Sequence, residues 1–204
     1  MCGQICPEPP VVGSGSATCS ASTCGFVCNA SYLKCGDTTH CQIAGWGFEG
    51  TTTDGFGNVN GGQTAVTGIS VSGSVFHSGA QALAIKIDAK GDGAGRTFVV
   101  GLRLCGGNGF VPANAQTVSA WFFLSPDPDT TPPPDDSSQI GERITTNTSE
   151  GGNTTSPVPV GTWFQVSTPI GSVGNQLIEV AVAGLFGPDS DWTGVVYVDD
   201  IVIQ

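Results

Sequence analysis

From Ala44 to the C-terminus the chain never runs far without a turn former, and that punctuation limits what it can fold into. Nine runs rich in β-branched and aromatic residues are separated by clusters of Gly, Pro, Asn, Asp and Ser: Gly45–Glu49, Ala65–Ser72, Ala80–Asp88, Arg96–Leu104, Thr117–Leu124, Gln139–Asn147, Thr162–Thr168, Gln176–Phe186 and Gly194–Ile203. Most alternate apolar with other residues, as in Leu83, Ile85 and Ile87, or Phe98, Val100, Leu102 and Leu104. A period of two puts the apolar set on one side of an extended strand, and no run shows the 3.6 period of a helix. Short strands with a turn about every ten residues predict an all-β protein, an antiparallel β-sandwich. The stretch Ser125–Ser138 contains only Ser, Pro, Asp and Thr, so it is predicted as a long, mobile hairpin loop. The glycine run Gly91–Gly95 has no helix after it to cradle a phosphate and reads as a hairpin turn.

Charge narrows the partners. Six Lys+Arg stand against 17 Asp+Glu, a formal charge of -11. Nucleic acid and anionic membrane surfaces both demand dense basic charge, so neither is expected as a partner. No apolar stretch is long enough to span a bilayer, and membrane insertion is not expected. The first residues lack the charged and apolar regions of an export leader, so the chain reads as a piece of a longer exported protein with other domains.

Seven of the eight cysteines, Cys2, Cys6, Cys19, Cys24, Cys28, Cys35 and Cys41, lie in the first 43 residues; Cys105 stands alone downstream. No CxxC pair occurs, and His40 is the one nearby imidazole, so zinc is the weaker reading. Residues 1–43 hold few large apolar side chains, mainly Phe26, Tyr32 and Leu33, and a segment this poor in core needs staples. The expectation is a disulfide framework and a secreted or cell-surface location, with every cysteine oxidised. If the six from Cys6 to Cys41 close among themselves, Cys105 pairs with a cysteine of the first segment. The chain divides on this basis into a Cys-rich linker, residues 1–43, and a sandwich, residues 44–204.

Five stretches appear in a recognisable order: GWGFEGTTTDGF, FHSGAQALAI, TVSAWFFL, VGTWFQVSTPI and DWTGVVYVDDIVI. Together they resemble the calcium-containing jelly-roll carbohydrate-binding modules, the group with families 4, 16 and 22. The acidic Pro-rich loop departs from that pattern. The resemblance implies a jelly roll whose first and last strands run side by side with a structural Ca2+ between them. Glu49 matches its first acidic ligand and the Asp199–Asp200 pair its last, with carbonyls near Ser78–Gln81 completing the shell. Strand alternation sends Asp199 and Asp200 to opposite faces. Asp199 shares a row with Val195, Tyr197, Ile201 and Ile203, read as core-facing, which favours it as ligand while leaving Asp200 open. The run from Cys19 to Cys41 resembles the short Cys-rich repeats of large secreted bacterial proteins, implying a spacer.

Catalysis lacks a signature. The histidines are His40 and His77, the five glutamates form no local pair, and no acidic residue adjoins His77 in sequence. His77 reads as a turn residue that orders its loop. Sugars pack their C–H faces on aromatic rings and hydrogen-bond amides, carboxylates and arginines. Alternation places Val118, Ala120, Phe122 and Leu124 on one face and Trp121 and Phe123 on the other. The same rule sets Gln139 and Arg143 opposite Ile140 and Ile144, and Glu179 opposite Val180. If these strands share a sheet, Trp121, Phe123, Gln139, Arg143 and Glu179 line a groove for an extended glycan; the competing reading makes Trp121 a core residue and covers the sheet with a loop. The expected function is non-catalytic polysaccharide binding, with a structural or adhesive module of an extracellular protein or fibre as the alternative.

Overall fold

The computed structural model describes residues 15–20, 23–29, 32–35, 41–59, 65–89, 95–107, 109, 117–126, 134, 136–171 and 176–204. Its strands are β1 (Gly15–Ser20), β2 (Thr23–Cys28), β3 (Tyr32–Lys34), β4 (Cys41–Ile43), β5 (Gly45–Trp46), β6 (Gly57–Asn58), β7 (Val66–Ser72), β8 (Ala82–Asp88) and β9 (Arg96–Arg103). Then follow β10 (Thr117–Pro126), β11 (Gln139–Thr146), β12 (Glu150–Gly151), β13 (Thr154–Thr155), β14 (Phe164–Pro169), β15 (Leu177–Phe186) and β16 (Thr193–Ile203). All nine predicted strands are present. The short β6, β12 and β13, and the four strands of the Cys-rich segment, had no alternation long enough to be read.

Two antiparallel sheets pack face to face as a jelly-roll β-sandwich. One runs β14-β10-β16-β8-β7, with β5 also on β16; the other runs β12-β11-β15-β9-β6, with β13 also on β11. Between them lie the alternating apolar rows: Leu83 and Ile85 from β8, Phe98 and Val100 from β9, Val118, Ala120, Phe122 and Leu124 from β10, all without solvent exposure. Each fully buried large side chain contributes roughly 1.5–3 kcal/mol of transfer free energy, which is why the alternation fixes the facing of each strand. Two loop assignments need correction. The strands flanking Gly91–Gly95, β8 and β9, lie in different sheets, as do β10 and β11 flanking the Pro-rich stretch. Both connections cross between sheets, so neither is a hairpin. Ser125 and Pro126 extend β10, and residues 127–133 and 135 lie outside the described residues.

The Cys-rich segment forms two small two-stranded sheets, β1-β2 and β3-β4. Cys28–Cys41 staples it internally, and Cys35–Cys105 joins it to the sandwich just after β9. No free cysteine occurs among the described residues. Cys105 does pair with the first segment, but through Cys35, one of the six cysteines expected to close among themselves; Cys2 and Cys6 lie outside the described residues. The Gln42 side-chain oxygen accepts from the Cys105 N–H beside the bridge.

One core position breaks the apolar rule. Glu142 sits between Ile140 and Ile144 on the inward row of β11, 2% exposed, with neither carboxyl oxygen in a well-formed hydrogen bond. Burial raises its pKa to about 8, against a smaller opposing influence from Thr168 on β14. Because the folded pKa lies above the ordinary 4.5, the folded chain keeps a proton that the unfolded chain releases. Stability is therefore highest below about pH 4.5 as far as this group is concerned, and declines as pH rises towards and through 8.

Two outcomes follow from this architecture. Glu142→Gln should remove that decline, flattening melting temperature against pH between about 5 and 9, as differential scanning fluorimetry would show. Cys35→Ser with Cys105→Ser opens a loop of sequence separation 70. In the loop-entropy view this costs about 4 kcal/mol, measurable by denaturant titration.

Candidate functional site

The carboxylates singled out from the sequence meet at one corner. β5 runs antiparallel to β16, with Trp46 opposite Ile201, so the first strand of the sandwich does lie beside the last. Residue Asp200 has a positive φ of 47°, and the register of β16 on β10 shifts between Ser119 and Trp121. Val202 lies opposite Ser119 and Asp199 opposite Trp121, so two residues of β16 face one of β10 in a β-bulge. The bulge overturns the simple alternation. Residues Val195 and Tyr197 belong to the outer face of their sheet, whereas Ile201 and Ile203 belong to the core. Asp199 follows the outer row and is buried by the loop lying over it.

That loop, residues 77–80, is held by all three acids. The Asp199 carboxylate accepts from the backbone N–H groups of His77 (2.9 Å), Ser78 (3.1 Å) and Asp200 (2.8 Å). Asp200 meets His77 Nδ1 at 2.8 Å and accepts from the Ser78 hydroxyl at 2.8 Å. Asp199 and Asp200 therefore reach the same loop instead of opposite faces. Glu49 accepts from the Ala80 N–H at 3.0 Å. Gly79 sits at φ 63°, and a Cβ there would fall 1.8 Å from a Glu49 oxygen, so this position requires glycine. Burial first, then the neighbouring Asp200 charge, raises the Asp199 pKa, while the three N–H groups oppose the rise. The donor set is all hard oxygen, the chemistry that suits Ca2+, and a buried carboxylate beside a second one is a charge arrangement that a divalent cation relieves. Among the described residues no three acidic, His or Cys side chains stand in a metal-holding group, and the loop meets these acids with N–H and O–H donors. A cleft of about 450 Å³ opens beside Glu49, between Gln42, Trp46 and Asp54.

Trp121 lies on the outward face of β10, as alternation required, but that face is roofed. His77 stacks on the Trp121 ring with centroids 4.0 Å apart and planes within 13°. Trp163 meets both His77 (5.4 Å) and Phe123 (5.5 Å), and Phe123 meets Tyr197. The loop that binds the carboxylates is thus also the cover of this aromatic cluster. His77 does order its loop, and the acid it lacked in sequence comes from β16, more than 120 positions away.

The opposite face differs. On the outer side of β11, β15 and β9, aligned pairs read Thr145–Glu179–Arg103, then Arg143–Ala181–Gly101, then Gly141–Ala183–Val99, then Gln139–Leu185–Thr97. Apart from Arg143 and Val99 the middle rows are glycine and alanine; Gly57 of β6 extends the second with nothing within 4 Å of an added Cβ, whereas a Cβ at Gly141 would meet the Asn153 carbonyl at 2.0 Å. A Cβ at Gly101 would lie 2.5 Å from that of Ala181, so the close approach of β9 and β15 depends on glycine there. Arg143 reaches the buried Glu179 at 3.0 Å, and Arg103 approaches the other Glu179 oxygen at 3.8 Å. Gln139 accepts from the Thr154 hydroxyl at 3.2 Å. The result is a low polar strip running across the strands.

The five residues grouped from the sequence are therefore split. Trp121 and Phe123 belong to the β10 sheet, and Gln139, Arg143 and Glu179 to the β11 sheet, back to back across the core. The facing of each strand was read correctly; their sharing of one sheet was not. Arg103 was missed, although alternation from Phe98 and Val100 already turned it outward.

No protein-family model matches the chain, and no curated protein matches it. Solved structures do. A carbohydrate-binding module described under promiscuous specificity in the β-sandwich superfamily superposes with a TM-score of 0.58 and 15% identity, covering 89% of this chain and 67% of that one. The CBM27-1 module of Caldicellulosiruptor saccharolyticus, solved in complex with mannohexaose, gives 0.57 and 15%, covering 74% and 90%. A CBM28 module specific for non-crystalline cellulose gives 0.56 and 15%, covering 77% and 91%. At such identities the likeness establishes the fold, that of the β-sandwich carbohydrate-binding modules.

Proposed function

We propose that the chain is a non-catalytic, exported module that binds polysaccharide through the outer face of the β11-β15-β9 sheet. The observation that carries the reading is the contrast between the two faces. One has His77 stacked over Trp121, while the other presents exposed Gln139 and Arg103 and half-buried Arg143 around close-packed small residues, with Ala183 half-buried and Ala181, Gly101 and Gly141 buried. An extended sugar chain needs a shallow floor and hydrogen-bonding groups along it, which this strip supplies. The modules sharing the fold, among them the mannohexaose and non-crystalline cellulose binders, support a glycan as partner. Export is supported by the disulfides, which persist in oxidising compartments. No described helix is long and apolar enough to cross a membrane.

Retention on insoluble polysaccharides tests the assignment. Ala183→Trp, which fills the strip, and Gln139→Ala should each lower retention, the former by about tenfold or more. Trp121→Ala should leave it unchanged, because that ring lies on the other face. If Trp121→Ala abolishes retention and Ala183→Trp does not, the face is wrong. A wild type that retains no polysaccharide moves the reading to a structural or adhesive module.

At the roofed corner we propose a structural Ca2+ held by Glu49 with Asp199 and Asp200, as the resemblance implied. Bound there, the ion would neutralise the paired aspartates and pin the 77–80 loop across strands β5 and β16. A ligand that binds only the folded state raises stability by mass action. Chelation should therefore lower the melting temperature, and Glu49→Ala should make it insensitive to Ca2+. An unchanged melting curve with chelator, and no metal by elemental analysis, rejects the ion.

A further inference from the structure

We infer that the polysaccharide taken by this face is anionic, its carboxylate or sulfate groups read by the guanidinium of Arg103 beside that of Arg143. The inference rests on the glycan-binding reading above and names the chemical class of the ligand.

Three observations carry it. First, two of the six cationic side chains of a chain with net charge -11 are gathered on this one surface. Second, both address a single carboxylate. Glu179 is buried and gives one oxygen to Arg143 at 3.0 Å and the other to Arg103 at 3.8 Å, so the trio carries one surplus positive charge. The Arg143 contact is a short charge-assisted hydrogen bond, whereas the Arg103 contact is long. The Arg103 side chain is 66% exposed, so its planar N–H fork stays open to solvent at the end of the strip. The other acid of this row, Glu150, lies opposite Thr145 on β12, three strands and about 14 Å from Arg103.

The third observation is what the floor lacks. Among the described outward residues of β9, β11 and β15 there is no aromatic ring; between the polar residues lie buried Gly101, Ala181 and Gly141 and half-buried Ala183 and Val99. A neutral sugar would have no ring to stack on and only hydroxyl hydrogen bonds, which largely exchange with water for small net gain. A charged group on the sugar changes that balance, because a guanidinium holds carboxylate or sulfate oxygens by two parallel, charge-assisted hydrogen bonds. The strongly negative chain also works against indiscriminate attraction of polyanions, so any retention of one must come from a local site.

Affinity electrophoresis of the whole chain decides the matter, with polygalacturonate as carboxylate probe, carrageenan as sulfate probe, and galactan and glucomannan as neutral probes. At least one acidic polymer should be retained tenfold or more over both neutral ones, with retention falling as salt rises. Arg103→Gln should cut acidic retention about tenfold and reduce its salt dependence, while leaving the melting temperature unchanged because the side chain is exposed. Arg103→Lys, which keeps the charge and loses the fork, should restore it only in part. Which acidic polymer responds separates carboxylate from sulfate recognition. Equal retention of acidic and neutral polymers, or acidic retention indifferent to Arg103→Gln, overturns the inference while leaving the glycan-binding reading intact. Retention of none of the four overturns both.

Discussion

The bulge at Asp200 in the last strand is the constraint on which the exposed chemistry of this protein depends. β16 is central to its sheet, pairing with β10, β8 and β5, so a kink in it is transmitted to three neighbours at once. By inserting one extra residue opposite β10, it turns Asp199 and Asp200 towards the same loop instead of opposite faces. Their oxygens then satisfy the N–H groups and hydroxyl of residues 77–78, donors that a crossing loop could not otherwise leave without partners. The loop so fixed sets His77 on Trp121 and closes the aromatic face. The other sheet keeps Gln139, Arg103 and Leu185 exposed on its outer face, and the ligand surface proposed above lies there.

Electrostatics divides the molecule in the same way. Acids outnumber bases overall, and at the covered corner three carboxylates crowd a short loop, with burial raising the pKa of Asp199. On the open face the arithmetic reverses locally: one buried glutamate organises two arginines. The buried Glu179 depends chiefly on Arg143 at 3.0 Å, the exposed Arg103 standing farther off at 3.8 Å, which makes Glu179 a positioning group as much as a charge. Between the faces, Glu142 is a third kind of acid, kept protonated near neutrality by a core that offers it little to bind. Its strand carries Arg143 and Gln139 on the opposite side, so the protonation of the core and the geometry of the open face share one backbone.

The Cys-rich segment is stabilised by different physics. Its four short strands make two-stranded sheets, which are marginal alone, and the covalent tie from Cys35 to Cys105 supplies what its apolar content does not. The anchor point lies at the end of β9, two residues beyond Arg103. The segment is thereby fastened to the strand that forms one end of the open strip.

Local periodicity by itself determined a great deal here. The class, the existence of nine strands and the inward row of most of them, though not of the bulged β16, could be read because a period of two is a property of consecutive residues, and because burying Phe98, Phe122 or Ile144 outweighs any alternative facing. A lone downstream cysteine was enough to foretell that Cys105 reaches back to the first segment. What the sequence did not contain was which strands are neighbours. Trp121 and Arg143 show the same outward pattern, yet lie on opposite surfaces, because sheet membership depends on how connections cross the sandwich and leaves no mark on alternation. The bulge was equally silent: nothing in VDDI announces that Asp200 takes a positive φ, and only the pairing of β16 with β10 imposes it. Tertiary structure therefore decided which face is roofed and which is open, since that choice rests on contacts between residues more than a hundred positions apart.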